Sequence, residues 1–380
     1  MSQGRSEQAS RDLQPGQRAG RRAVMLSGSI GMGHDQLAEA CSTSLRSDGW
    51  STQTLDLMRL LGRGADSVAD GVFRAMLSVP GLYDAFHFAA LREGSRLAEI
   101  TDAAARNRLL PRLRRLLDAN PADLVISVFA TGASAMSSLY DRYPLARHVV
   151  FCTDVTPHRL WVHQGVDLYL VTSHAAEQAV RRFAPQARVL VVQAPVREAF
   201  YHPPAQSAAR QRLDIPQADP CVLLTTGAWG LGPVAEAAEA LGDAGVHVLA
   251  VAGRNAKLEH RLLAAAERQP LVHAFGFSNR IPELMAAADL VVTSSGDTCT
   301  EARVIGRPLL LLDVVQGHGR DNLLHELELG DAAVTSGRPA DVVRATLSSL
   351  DHVKPPPVMP TRSPDTWSST LAAALETIGL

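Results

Sequence analysis

The sequence predicts an α/β protein made of two doubly wound units in succession. Short apolar runs recur along the chain, and Ala/Leu/Arg-rich stretches of helical length separate them. That alternation is the pattern of parallel strands covered on both faces by helices. The length of 380 residues allows two domains of roughly 150 to 180 residues, each with a full core.

In chain order, the first unit is predicted to hold strands at Ala23–Ser27, Thr52–Asp56, Asp123–Val128, His148–Cys152, Asp167–Val171 and Arg188–Val192. The second holds Cys221–Thr226, Val246–Val251, Leu271–Phe275, Asp289–Thr293 and Pro308–Leu312. The rhythm pauses at Ala194–Pro220, where prolines cluster, and breaks at His352–Trp367, a proline-rich connector before a last helical stretch, Ser368–Ile378. The expected organisation is a disordered leader (1–22), an N-terminal domain (23–195), a C-terminal domain (196–351), and the connector with a terminal helix packed away from the second domain (352–380). Two such domains facing each other place the carboxyl ends of both sheets on opposite walls of one cleft, where α/β folds bind ligands.

Composition narrows the partners. Hydrophobic residues make up 46%, charged residues 20%, and the net charge is −2, so no electrostatic argument favours nucleic acid. Cys41, Cys152, Cys221 and Cys299 are far apart and mostly border apolar runs, which reads as buried free thiols in a reducing compartment. No run approaches about 18 apolar residues, and the polar segment Ser2–Arg22 lacks the apolar core of a signal peptide. The expected location is the cytoplasm, with peripheral membrane contact left open.

Two strand-to-helix loops carry the chemistry. In Gly28-Ser-Ile-Gly31-Met-Gly33-His34 the spacing is G-x-x-G-x-G, not the G-x-G-x-x-G dinucleotide fingerprint, which removes the main support for a nicotinamide site. Glycines needed only for tight packing are the competing explanation, but an imidazole at a cleft-facing loop suits a general base. In the second half, the strand at Asp289–Thr293 runs into Ser294, Ser295 and Gly296, and a helix starts near Thr298. Hydroxyls and free backbone N–H groups there converge as a diphosphate cradle, with Glu301 one turn on, placed for ribose hydroxyls. The bland alternative is an N-cap serine and a solvated first-turn acid.

The stretch Phe275–Asp313 resembles the nucleotide-sugar motif of GT-B glycosyltransferases, and four others resemble one branch of them. That branch comprises the monogalactosyldiacylglycerol synthases and processive diacylglycerol glucosyltransferases, related to the lipid II N-acetylglucosaminyltransferase. The stretches are LSGSIGMGH, FCTDVTPHRLWVHQGVDLYLV (Phe151–Val171), LLTTGAWGLGPV (Leu223–Val234) and VAGRNAKL (Val251–Leu258). They occur in the family's order over about Ala23 to Val334.

The resemblance implies a GT-B fold, two Rossmann-like domains across a cleft, and transfer of a hexose from a UDP-sugar to a hydroxyl of a diacylglycerol-like lipid. It implies a second domain that binds the donor through Gly227, Gly253, Arg254, Phe277, Ser294, Ser295, Gly296, Thr298, Glu301, His318 and Asn322. It implies His34 as general base with Asp154 beside it, and Gly33, His158 and Trp161 on the acceptor side. For Asp154 a turn-capping carboxylate is the alternative, and for His158 and Trp161 plain packing. No Asp-x-Asp motif is present, so the resemblance implies no metal and no cofactor beyond the UDP-sugar co-substrate. Residues 58–91, rich in bulky apolar groups, occupy the place of the family's acceptor and membrane-associating region; a helix pair closing the first sheet is the competing reading.

The chain also departs from its relatives. Where they commonly read Gly-Gln-Glu-Glu-Gly-Asn after the last strand, this chain has Gly317-His318-Gly319-Arg320-Asp321-Asn322, which leaves the hexose open and points with Arg320 to an acidic or modified sugar. Phe129 stands where relatives often have histidine, implying a less polar acceptor pocket. These departures keep two alternatives in view: transfer to a soluble secondary metabolite, and a nucleotide-sugar 2-epimerase on the same frame.

Overall fold

The computed structural model describes residues 20–28, 33–61, 96–227, 230–315, 318–330, 332–352 and 364–380. The segment 62–95, which holds most of the apolar stretch singled out above, lies outside them. The predicted α/β class and its two doubly wound units are borne out: there are two six-stranded sheets, and every strand pairing within them is parallel.

The first sheet has the order β2-β1-β3-β4-β5-β6. Its strands are β1 (Arg22–Ser27), β2 (Ser51–Asp56), β3 (Leu124–Ser127), β4 (Arg147–Phe151), β5 (Leu168–Val171) and β6 (Val189–Val191). The second has the order β12-β11-β10-β7-β8-β9, with β7 (Cys221–Thr225), β8 (His247–Val251), β9 (Val272–Phe275), β10 (Leu290–Thr293), β11 (Leu309–Asp313) and β12 (Ala332–Ser336). Strand order reverses between β1 and β3 in one sheet and between β7 and β10 in the other. Those two switch points, at the carboxyl ends, are where such sheets open a crevice.

The central strands are apolar because helices cover both their faces: β3, β5, β7, β8 and β10 are buried at every residue. Strand β12 lies outside the predicted set, and the reason is its position at a sheet edge. Its sequence Ala-Ala-Val-Thr-Ser leaves Ala333 and Val334 exposed, so it lacks the apolar run that marks the inner strands.

The helices of the first domain are α1 (Gly33–Ser47), α2 (Leu57–Leu61), α3 (Arg96–Ala119), α4 (Ala130–Ser137) and α5 (His174–Phe183). Those of the second are α6 (Gln206–Arg212), α7 (Val234–Asp243), α8 (Ala256–Arg268), α9 (Ile281–Ala287), α10 (Asp297–Ile305), α11 (His318–Glu328) and α12 (Pro339–Asp351). Their ends follow local chemistry. The side chains of Ser173 and Asn255 accept bonds from Ala176 N and Leu258 N at the starts of α5 and α8, and Gly306, with φ of 79°, closes α10.

The terminal helix α13 (Pro364–Glu376) returns to the first domain. Trp367, Leu371, Ala374, Leu375 and Ile378 join one core cluster with Leu37, Cys41, Leu45 and Phe151, and the Trp367 and Phe151 rings are 5.8 Å apart. Arg188 donates to the carbonyl of Thr377. All four cysteines are buried and free, and burial pushes the thiols of Cys41, Cys221 and Cys299 up to about 12.

Candidate active site

The first wall is built where β1 and β3 end. After β1 the chain passes Gly28 and re-enters at Gly33, so His34 stands in the first turn of α1. Ser27 donates to Asp35 at 2.6 Å, tying the strand end to the helix start. His34 Nδ1 lies 2.6 Å from the carbonyl oxygen of Val128, just past β3. A carbonyl only accepts, so Nδ1 carries the proton and Nε2 keeps its lone pair. Phe129 meets the imidazole edge-on at 5.2 Å, and a Cβ on Gly28 would stand 2.8 Å from the Phe129 ring. Glycine is therefore required at position 28 so that the phenyl can lie between the loop and the histidine.

The second wall is built where β10 ends. Ser294, Ser295 and Gly296 link β10 to α10, and Gly296 precedes the helix with extended backbone. A Cβ on Gly296 would meet nothing within 4 Å, so the loop faces open space there. Ser295 is buried, and the Cys299 amide donates to Gly296 O at 2.9 Å, turning the loop into the helix. Thr298 is half-buried in the first turn.

Glu301, one turn further, is 7% exposed. Burial pushes its carboxyl up to about 8, with the Arg197 guanidinium opposing and Asp297 adding to the rise. Arg197 Nη2 stands 3.8 Å from Glu301 Oε1. Arg197 comes from the segment joining the domains, lies 4.9 Å over the Phe200 ring, and keeps a buried Nε without a hydrogen-bond partner.

The walls meet at Asp297, the first residue of α10. A Cβ on Gly33 would overlap the Asp297 carboxyl, so a side chain from the second domain touches the residue before His34. Asp297 is exposed as a residue, while the protein around its carboxyl raises it above the usual range and His34 opposes that rise. Sequence reasoning missed Asp297, because an acid beside a diphosphate cradle reads as repulsive, and missed Arg197, which sits in what reads as linker. The only available signals were the Gly296-Asp297 step and the arginine after Pro195-Val196.

The remaining predicted donor residues line the second domain. Gly227 and Gly253 have φ of 72° and 61°, turns that favour glycine. The Arg254 guanidinium stacks 5.3 Å from the centre of the Phe277 ring, which is 51% exposed. His318 opens α11 and Asn322 is half-buried one turn on. Arg320 is exposed and stands 3.9 Å from Asp313.

Asp154 is held by its own loop, not by His34. Trp161 Nε1 donates to Asp154 Oδ2 at 2.8 Å, and His158 Nε2 is 3.4 Å from the same oxygen. The Leu160 amide donates to His158 Nδ1 at 3.3 Å, so the proton of this imidazole is on Nε2, the opposite tautomer to His34. Trp161 is 2% exposed. Its indole is a core group that fixes Asp154, which corrects the expectation of a ligand-facing acceptor residue.

The chain matches the family model of monogalactosyldiacylglycerol (MGDG) synthase over residues 34–196 and that of the glycosyltransferase family 28 C-terminal domain over residues 227–339. It is 31% identical over 253 residues to a probable chloroplastic monogalactosyldiacylglycerol synthase of Nicotiana tabacum, covering 62% of this chain and 47% of that protein. It is 30% identical over 203 residues to a processive diacylglycerol beta-glucosyltransferase of Bacillus pumilus (strain SAFR-032), covering 52% and 53%. The matched stretch thus spans about half the length of each relative. The solved structure of CalG4, the calicheamicin glycosyltransferase, superposes with a TM-score of 0.60 at 15% identity, covering 96% of this chain and all of that one, which fixes the fold as GT-B. In chain order, the first domain resembles the monogalactosyldiacylglycerol synthases and the second the C-terminal domain of family 28 glycosyltransferases, on one GT-B fold.

Proposed function

We propose that this protein transfers a hexose from a UDP-sugar to a hydroxyl of a diacylglycerol-like lipid. The observation that carries this reading is that a histidine with a free Nε2 lone pair and a serine-glycine helix start face one cleft, one on each domain. The relatives' names supply the substrate classes.

In the proposed mechanism, the acceptor oxygen attacks the anomeric carbon while His34 Nε2 takes its proton. The bond from that carbon to the diphosphate oxygen breaks. The charge on the departing UDP is met by the hydroxyls of Ser294 and Ser295 and the free amides that open α10. These donors and the helix dipole stabilise the diphosphate charge without a metal ion, so activity should survive a chelator. Glu301 accepts the ribose hydroxyls, and the exposed half of the Phe277 ring stacks on the uracil. Attack opposite the leaving diphosphate inverts the anomeric centre.

The lipid surface is proposed to lie against α3 and the end of α2, where the apolar stretch 58–91 begins; its residues beyond 61 lie outside the described ones. Arg108, Arg112 and Arg115 are exposed at helical spacing on α3, and Arg108 and Arg112 donate to Leu61 O and Leu60 O, where that stretch begins. A row of arginines beside apolar residues suits an anionic membrane face, and location on the cytoplasmic side follows from that reading. Among the described residues no helix is long and apolar enough to cross a membrane.

The test is UDP release from a panel of UDP-sugars, with and without diacylglycerol vesicles. Release that requires diacylglycerol supports the reading. Phe129 against His34 favours an apolar soluble acceptor as the second reading, and release with such acceptors alone would select it. Release from a UDP-N-acetylhexosamine with no acceptor would indicate the epimerase.

A further inference from the structure

Asp297 has a setting that none of the roles above explains. It is the first residue of α10, beside the loop assigned to the diphosphate, and adds a negative charge where one already has to be accommodated. Among the described residues its carboxyl makes no hydrogen bond or ion pair that would give it a structural task, and it is not the helix cap, which is Gly296. It reaches across the cleft instead. Its carboxyl presses on Gly33, a glycine that leaves it room, and the charged group acting on it from the opposite wall is His34.

We propose that Asp297 is a positioning residue that completes the His34 base when the two domains close. This rests on the transfer reaction proposed above. As the acceptor O–H bond breaks, its proton passes to Nε2 and His34 becomes an imidazolium, while the new bond to the anomeric carbon forms and the bond to UDP breaks. Val128 already holds Nδ1 and can only accept, so it offers no full negative charge to the cation. The Asp297 carboxylate supplies one from the opposite wall, next to the residue that precedes His34. The other charged groups nearby face Glu301: it lies one turn along the same helix, Asp297 raises its carboxyl, and Arg197 approaches it from the joining segment. Because the carboxylate belongs to the donor domain and the histidine to the acceptor domain, the base is complete only in the closed form.

The arrangement has a cost that makes it testable. A carboxylate at the start of α10 repels the diphosphate, so the interaction that helps the chemical step weakens donor binding. Asp297→Asn keeps the shape and removes the charge. UDP is expected to bind it about two- to fivefold more tightly, the range that a unit charge at a helix start supplies, while kcat falls about tenfold or more. Adding Asp297→Asn to His34→Asn should cost little further kcat, because the carboxylate acts only through the histidine. Asp297→Glu should restore part of kcat.

A residue with a merely structural role would lower kcat and UDP affinity together and would lower kcat further in the double variant; that result overturns the proposal, as does an Asn variant indistinguishable from wild type. If the Asn variant binds UDP more tightly but no acceptor supports UDP release by the wild type, the place of the carboxylate beside the donor site stands and the transfer reading fails.

Discussion

His34 Nδ1 stands 2.6 Å from the carbonyl oxygen of Val128, and this one bond sets both the tautomer and the direction of the imidazole. It joins the two strands on either side of the first sheet's switch point, since His34 follows β1 and Val128 follows β3. The histidine is held by backbone, so its orientation depends on the packing of β3 and not on another side chain.

The bond allows a substitution that separates structure from chemistry. In His34→Asn the amide nitrogen takes the place of Nδ1 and can still donate to Val128, but nothing replaces Nε2. Folding and UDP binding are expected to remain near wild type, while kcat falls about 10²- to 10⁴-fold, the range of general base catalysis. Retained turnover in a UDP-release assay would remove His34 from the mechanism.

Gly33→Ala probes the meeting of the two walls. The new methyl would overlap the Asp297 carboxyl, while alanine itself suits a helix start at least as well as glycine. The variant should therefore fold with unchanged or slightly higher Tm and lose turnover because the domains cannot close. Combining it with Asp297→Ala, which removes the obstructing atoms, should restore part of the closure, seen as a smaller radius of gyration by X-ray scattering with UDP bound.

Glu301 should set stability against binding. Its carboxyl titrates at about 8 instead of the ordinary 4.5 because it is buried. Between those values the folded state keeps a proton that the unfolded chain has released, so stability falls as pH rises through that window. Glu301→Gln removes this dependence. Its gain in stability over wild type should be small at pH 5 and grow to about 2–4 kcal/mol at pH 9, while UDP binds about tenfold or more weakly as a charge-assisted pair of ribose bonds is lost. If the ribose selects the carboxylate, UDP binding near pH 7 also releases protons, which calorimetry in buffers of different ionisation enthalpy would register.

The sheets were legible in the sequence because their inner strands are apolar at successive residues, and β12 was not because an edge strand need not be. The glycine loop and the Ser294–Gly296 loop were legible because strand-to-helix turns carry local signatures. What joins them was not: Asp297 meets Gly33 across the cleft, Arg197 reaches Glu301 from the joining segment, and a backbone carbonyl orients His34. Each is a contact between residues far apart in the chain, and the last involves a group that every residue possesses. The Thr-Asp-x-x-x-His-x-x-Trp block shows the opposite limit. Its spacing is easily seen, but only packing reveals that the tryptophan is turned inward to hold the aspartate.

His148 links acid stability to the same site. It is buried in β4, its Nε2 is 2.9 Å from Ser127 Oγ, and its Nδ1 has no hydrogen-bond partner. Burial, aided by His163, lowers its titration to about 3 from an ordinary 6.5. Between those values the unfolded chain takes up a proton that the folded protein refuses, so stability falls as pH drops from about 6.5 toward 3, by up to about 1.4 kcal/mol per pH unit. Ser127 immediately precedes Val128, so opening the core to charge His148 also frees the carbonyl that holds His34. Wild type is therefore expected to lose stability and turnover together below about pH 6. His148→Gln keeps a polar partner for Ser127 without a titrating group and should show a flatter stability profile from pH 6 to 4 by urea unfolding; profiles that run parallel would assign the acid sensitivity to other groups.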